Sequence, residues 1–112
     1  KKVEKPKTLI TKKIIKKNMG WCDDVRFPNS YNKLITTKTN IKHEKLYRLD
    51  QKYDLLIPIK YNYHKPITGK GSCIFIHLTK NYRPTAGCIA LAKKDFLILL
   101  KLINRKTKIK IL

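Results

Sequence analysis

The sequence predicts one mainly β domain closed by a single helix, and three observations carry that expectation. Short apolar runs of strand length recur from Tyr53 onward, punctuated by Pro58, Pro66, Gly69 and Gly71. Only the stretch from Lys93 to Asn104 spaces its apolar residues as a helix does. The whole chain has 112 residues, enough for one small core and too few for two.

In chain order, residues 1–17 form a basic lead-in whose Leu9-Ile10 and Ile14-Ile15 pairs suit one or two edge strands. Lysine there discourages edge-to-edge association, although a solvated face is the simpler account of the charge. From Asn18 through Asp24 to Tyr31-Asn32, turn formers dominate and predict a loop. Leu46 and Leu49, three apart among charges, give a short-helix signal over 43–52. Asp54 to Ile59 reads as a strand that ends, bulges or lies at an edge because of Pro58, and Tyr61 to Tyr63 prolongs it.

Ser72 to Leu78 predicts a strand apolar on both faces, with Cys73, Phe75 and His77 on one side and Ile74, Ile76 and Leu78 on the other. Such a strand belongs at the centre of a layered sheet. The helix over 93–104 carries Phe96, Leu97, Leu99, Leu100 and Ile103 inward, Asp95 suits its first turn, and Asn104 stops it. The alternation of Lys108 to Ile111 predicts a last, half-exposed strand.

The charge is extreme: 27 Lys+Arg against 7 Asp+Glu give a formal +20. An anionic partner, nucleic acid or wall polymer, is one explanation. An AT-rich codon bias is the other, and it is favoured because the lysines are scattered and no basic run is interleaved with aromatics. Three cysteines without CxxC spacing argue against a disulfide framework or a zinc knuckle. Cys22, Asp23, Asp24, His43 and His64 fit no recognised ligand spacing, so no metal is expected. No run of about 18 apolar residues spans a bilayer, and no secretory signal is present.

The chemistry concentrates between Gly71 and Leu91. His77 ends the buried strand, and Cys88 follows eleven residues later behind Thr85-Ala86-Gly87. A thiol becomes a nucleophile near neutral pH when a base favours its thiolate. In this pairing His77 takes the thiol proton and later protonates a leaving amine, and its other nitrogen requires an acceptor, expected to be a backbone carbonyl of the following loop. Gly87 lets backbone N–H groups approach a bound carbonyl as an oxyanion hole, and Thr85 fixes the turn. A core histidine beside a small buried cysteine is the competing reading. Cys73 lies four strand residues from His77, roughly 13 Å, too far to be its partner, and reads as a small core residue.

Gly20-Trp21-Cys22-Asp23-Asp24, Tyr53-Asp54, Tyr61-Asn62, Gly71 to His77 and Pro84 to Leu91 occur together and in this order. From about Gly20 to the C-terminus the chain resembles the L,D-transpeptidase catalytic domain (YkuD family), in particular a compact branch with these motifs. The resemblance implies a β-sandwich of mixed sheets with one main C-terminal helix, and a bacterial transferase of cell-wall biogenesis. Its substrate would be a peptidoglycan stem peptide, with Cys88 as nucleophile, His77 as general base and the Gly87 and Cys88 N–H groups as oxyanion hole. Trp21, Asn62, Arg83 and Thr85 are the substrate-contact candidates. No cofactor is implied. Hydrolysis by the same pair, as an L,D-carboxypeptidase, and a non-catalytic basic module for nucleic acid or wall polymer are the alternatives.

Two departures bear on substrate grip. Ala86 and Ala90 stand where many members have a histidine and an arginine, and Arg83 or a lysine is expected to meet the substrate carboxylate instead. Residues 1–112 are expected to be one catalytic domain lacking the N-terminal strands that usually precede it. The compartment does not follow from this chain. Periplasm or cell wall is implied only if an export signal lies upstream of Lys1.

Overall fold

The computed structural model describes residues 6–36, 40–79 and 88–110. Six short strands and one helix occur among them, mainly β as the sequence predicts. Strands β1 (Met19–Cys22), β2 (Leu34–Thr36) and β3 (His43–Lys45) make an antiparallel sheet in the order β2-β1-β3. Strands β4 (Leu56–Pro58), β5 (Phe75–Leu78) and β6 (Ile89–Leu91) make a mixed sheet in the order β4-β5-β6. Here β4 runs antiparallel and β6 parallel to β5. Helix α1 (Lys93–Leu102) follows β6 directly.

The fold is organised around β5, whose four residues are all buried. Ile76 and Leu78 join Leu55 with Phe96 and Leu100 of α1 in one core. Alternation then turns Phe75 and His77 to the opposite face. Phe75 packs there with Trp21 of β1, Leu46 and Tyr53. Its ring meets Trp21 edge-on at 5.4 Å and Tyr53 edge-on at 5.7 Å, tying the two sheets together. Helix, mixed sheet and antiparallel sheet are thus three layers joined by two apolar interfaces, each large buried side chain contributing roughly 1.5–3 kcal/mol.

Several elements differ from the sequence expectation. The described part of the lead-in forms no strand. One residue of each apolar pair, Ile10 and Ile15, packs onto a core cluster, while Leu9 and Ile14 face solvent. The Asn18 to Asp24 loop contains instead the central strand of the first sheet, because burial of Trp21 and Cys22 between two distant partner strands outweighs local turn propensity. No helix forms over 43–52: His43–Lys45 is strand, and Leu46 is buried while Leu49 is fully exposed, so their spacing marks no shared face.

Pro58 closes β4 at a sheet edge, as expected. Tyr61 to Tyr63 does not prolong that strand, since Asn62 takes a left-handed φ of 52° and turns the chain. Strand β5 starts only at Phe75 because Cys73, with φ 60°, breaks the extended backbone before it. Helix α1 stops two residues before the predicted end, where Ile103 turns extended and its N–H still reaches the Leu99 carbonyl. Residues 108–110 are not strand and pair with none of the strands among the described residues, and Ile111 lies outside them. Among the described residues no helix is long and apolar enough to cross a membrane.

Candidate active site

His77 sits on the central strand, 3% exposed, and is held from two sides. Nδ1 lies 2.9 Å from the carbonyl oxygen of Leu78. A carbonyl only accepts, so in the neutral imidazole this contact places the proton on Nδ1 and makes Nε2 the acceptor. The orienting group is a backbone carbonyl, as the sequence predicts, but it belongs to the next residue of the strand. Tyr53 meets the imidazole edge-on, with centroids 5.9 Å apart. Nε2 itself is buried and has no hydrogen-bond partner. A buried polar atom left open costs on the order of 1–3 kcal/mol, and the lone pair of such a nitrogen can accept a proton.

Cys88 immediately precedes β6. Register pairs His77 with Ala90 in the parallel ladder, and Cys88 lies two residues before Ala90, on the same side of the sheet. It packs accordingly against the Trp21, Leu46, Tyr53 and Phe75 cluster, the cluster that borders His77. Its sulfur donates to the carbonyl of Cys73 at 3.2 Å. Cysteine and histidine are therefore brought to one face by adjacent parallel strands, half-buried and buried respectively. In this arrangement the thiol proton rests on the Cys73 carbonyl and not on the imidazole.

The carbonyl of Cys73 is placed by a polar network that the sequence reading missed. Asn32, 2% exposed and at φ 56°, accepts from Trp21 Nε1 at 2.8 Å. Its Nδ2 donates to the carbonyls of Tyr61 at 2.9 Å and Asn62 at 2.6 Å. Ser72 Oγ donates to the Cys22 carbonyl at 2.6 Å, and the Gly71 N–H donates to the Tyr31 hydroxyl at 3.3 Å. The end of β1 is thereby fastened to the segment that leads into β5. The available sequence signal was an asparagine after a polar loop, a residue type that tolerates the left-handed region.

Other predicted site residues fall into scaffold positions or outside the described residues. Trp21 is buried in the core with its N–H spent on Asn32, so it offers no polar group to a substrate. Asn62 donates to the carbonyls of Ile67 and Gly71 and accepts from the Ile67 N–H, bracing its own loop. Gly87, Thr85 and Arg83 lie outside the described residues. Cys73 is a core thiol as expected, and burial, opposed by the Ser72 hydroxyl, pushes it up to about 12.

The acidic and histidine residues after β1 serve structure. Arg26 grips Asp24 through Nε at 3.0 Å and Nη2 at 2.7 Å, and the Lys42 N–H adds a third bond at 2.9 Å. The guanidinium, followed by the Lys42 N–H, holds the carboxyl well below the usual carboxylate range. His43 Nδ1 lies 2.7 Å from the Ile41 carbonyl. Among the described residues no three His, Cys, Asp or Glu side chains are grouped to hold a metal ion.

No curated protein and no solved structure matches the chain. A family comparison does match, over nearly the full length and including His77 and Cys88. Residues 2–111 match the L,D-transpeptidase catalytic domain (YkuD), and the chain belongs to that family.

Proposed function

We propose that the protein is a cysteine-dependent acyltransferase acting on peptidoglycan stem peptides, with Cys88 as nucleophile and His77 as its base. One observation carries the reading: His77 Nδ1 is committed to the Leu78 carbonyl, and the open, buried Nε2 lies on the sheet face that Cys88 shares. The thiol exchanges the Cys73 carbonyl for Nε2, to which its proton passes. The thiolate then attacks the carbonyl before a terminal D-alanine. As the C–N bond breaks, the proton on Nε2 goes to the departing amine and a thioester remains on Cys88. An acceptor amine, deprotonated by the same nitrogen, takes the acyl group and restores the thiol.

The test is acylation. A carbapenem-type acyl donor is expected to add one equivalent to the intact mass of the folded protein, and Cys88→Ala is expected to add none. A folded sample without an adduct, or with an equal adduct on Cys88→Ala, overturns the assignment. Product analysis with stem peptide, with and without an amine acceptor, then separates transfer from hydrolysis by the same pair.

A further inference from the structure

Tyr53 precedes β4, is 2% exposed and meets both the His77 imidazole and the cluster on which Cys88 packs. Its ring packs edge-on against Phe75 at 5.7 Å and against His77 at 5.9 Å. It belongs to the cluster on which Cys88 packs. Two cations stand over the same ring, the Arg48 guanidinium and Lys52 Nζ, each 5.3 Å from its centroid. An apolar ring inside a core needs no such surroundings, and phenylalanine would pack as well. Only the hydroxyl distinguishes the residue chosen.

Resting on the reading of Cys88 as nucleophile, we propose that Tyr53 is a positioning residue of the pair. Its ring fixes the His77 imidazole in the plane that keeps Nδ1 on Leu78, and its hydroxyl donates the hydrogen bond that stabilises the Cys88 thiolate. Burial, together with the negative charges of Glu44, Cys88 and Cys73 and against that of Arg48, raises the phenol well above its ordinary range. The hydroxyl thus stays a neutral donor throughout the pH span in which a thiol titrates. Among the described residues, the charged and titratable groups facing this corner are Glu44 from β3, Arg48 and Lys52 from the segment after it, Cys73 ahead of β5, and His77 on β5. A neutral donor can serve an anionic sulfur in this corner without adding a charge to it.

The experiment is the pH dependence of Cys88 alkylation by iodoacetamide, localised by peptide mass, in wild type, Tyr53→Phe and Tyr53→Leu. Removing the hydroxyl alone is expected to move the Cys88 midpoint up by about one pH unit, a tenfold slower alkylation below it. Tyr53→Leu is expected to add a change in the His77 tautomer, read from imidazole nitrogen shifts, which Tyr53→Phe leaves intact. An unchanged midpoint in folded Tyr53→Phe overturns the hydroxyl role, and an unchanged tautomer in folded Tyr53→Leu overturns the ring role. Should Tyr53→Leu not fold, the retained tautomer and shifted midpoint of Tyr53→Phe decide. Alkylation needs no acyl donor, so loss of the carbapenem adduct with this shift intact sinks the acyltransfer reading and leaves the placement of Tyr53 standing.

Discussion

The sulfur of Cys88 donates to the backbone carbonyl of Cys73 at 3.2 Å, so the residue that parks the thiol proton contributes its main chain and not its own thiol. Removing the Cys73 side chain should therefore spare the site. Cys73→Ala is expected to form the Cys88 adduct at a rate within about twofold of wild type, as suits a surrogate of similar volume that keeps the acceptor. At neutral pH Cys73 itself should resist alkylation, because burial has pushed its thiol up to about 12. Rapid labelling of Cys73 in the folded protein would contradict that environment.

Backbone conformation at the same residue gives a second outcome. Cys73 sits at φ 60°, where a β-branched side chain is strongly disfavoured. Cys73→Val is expected to be less stable than Cys73→Gly by on the order of 1–2 kcal/mol, measured by urea unfolding, despite its larger apolar surface. Equal stabilities would mean that the left-handed turn ahead of β5 is absent in solution.

His77 should affect chemistry more than folding. Its imidazole carries one structural hydrogen bond and one open nitrogen, so His77→Gln removes the base while roughly filling the volume. Adduct formation at neutral pH is expected to fall by about a hundredfold or more, the usual range for a positioned general base. Recovery at high pH, where the thiol ionises without help, is the accompanying signature. A variant that acylates at the wild-type rate at pH 7 would remove His77 from the mechanism.

The contrast between what was legible in the sequence and what was not has a physical cause. Phe75 to Leu78 and the helix after Lys93 were readable because burial on both faces and a 3.6-residue spacing are written locally. The place of His77 was readable too, since it lies within that strand. β1 was not: Trp21 is strand because β2, β3 and Phe75 arrive from elsewhere, and Asn18 to Asp24 has the composition of a turn. The contacts of Asn32 and Tyr53 were not legible for the same reason, as their partners are distant in sequence. Tyr53 gains its meaning only when His77 and Cys88 fold against it.

Asn32 is the residue whose loss should be felt furthest. Asn32→Ala strips the acceptor from the buried Trp21 N–H and the donor from the carbonyls of Tyr61 and Asn62. It also puts an alanine at φ 56°. Leaving buried groups unsatisfied costs about 1–3 kcal/mol each, and the expected loss is about 2–4 kcal/mol in denaturant unfolding followed by Trp21 fluorescence. Asn32→Asp keeps the acceptor for Trp21 but turns a donor into a second oxygen facing two carbonyls, so it should be no better than alanine. A neutral Asn32→Asp would mean that the segment before β5 is held by something else.

Asp24 fixes the acid limb of stability. Its folded carboxyl is held below the ordinary range by Arg26 and the Lys42 N–H, so the folded state favours the ionised form. The contribution is complete above the unfolded value of about 3.9 and disappears as the pH falls through the lower, folded value. Stability should therefore decline below about pH 4 in wild type. Asp24→Asn removes the ionisation, and with it the pairing to Arg26 and part of the anchoring of the 40–42 segment. The variant is expected to be less stable at pH 7 and to show a flatter acid limb, so that the two stability curves converge toward pH 2. Parallel curves across that span would show that the carboxyl titrates alike in folded and unfolded chains, and that the Arg26 contact does not hold it.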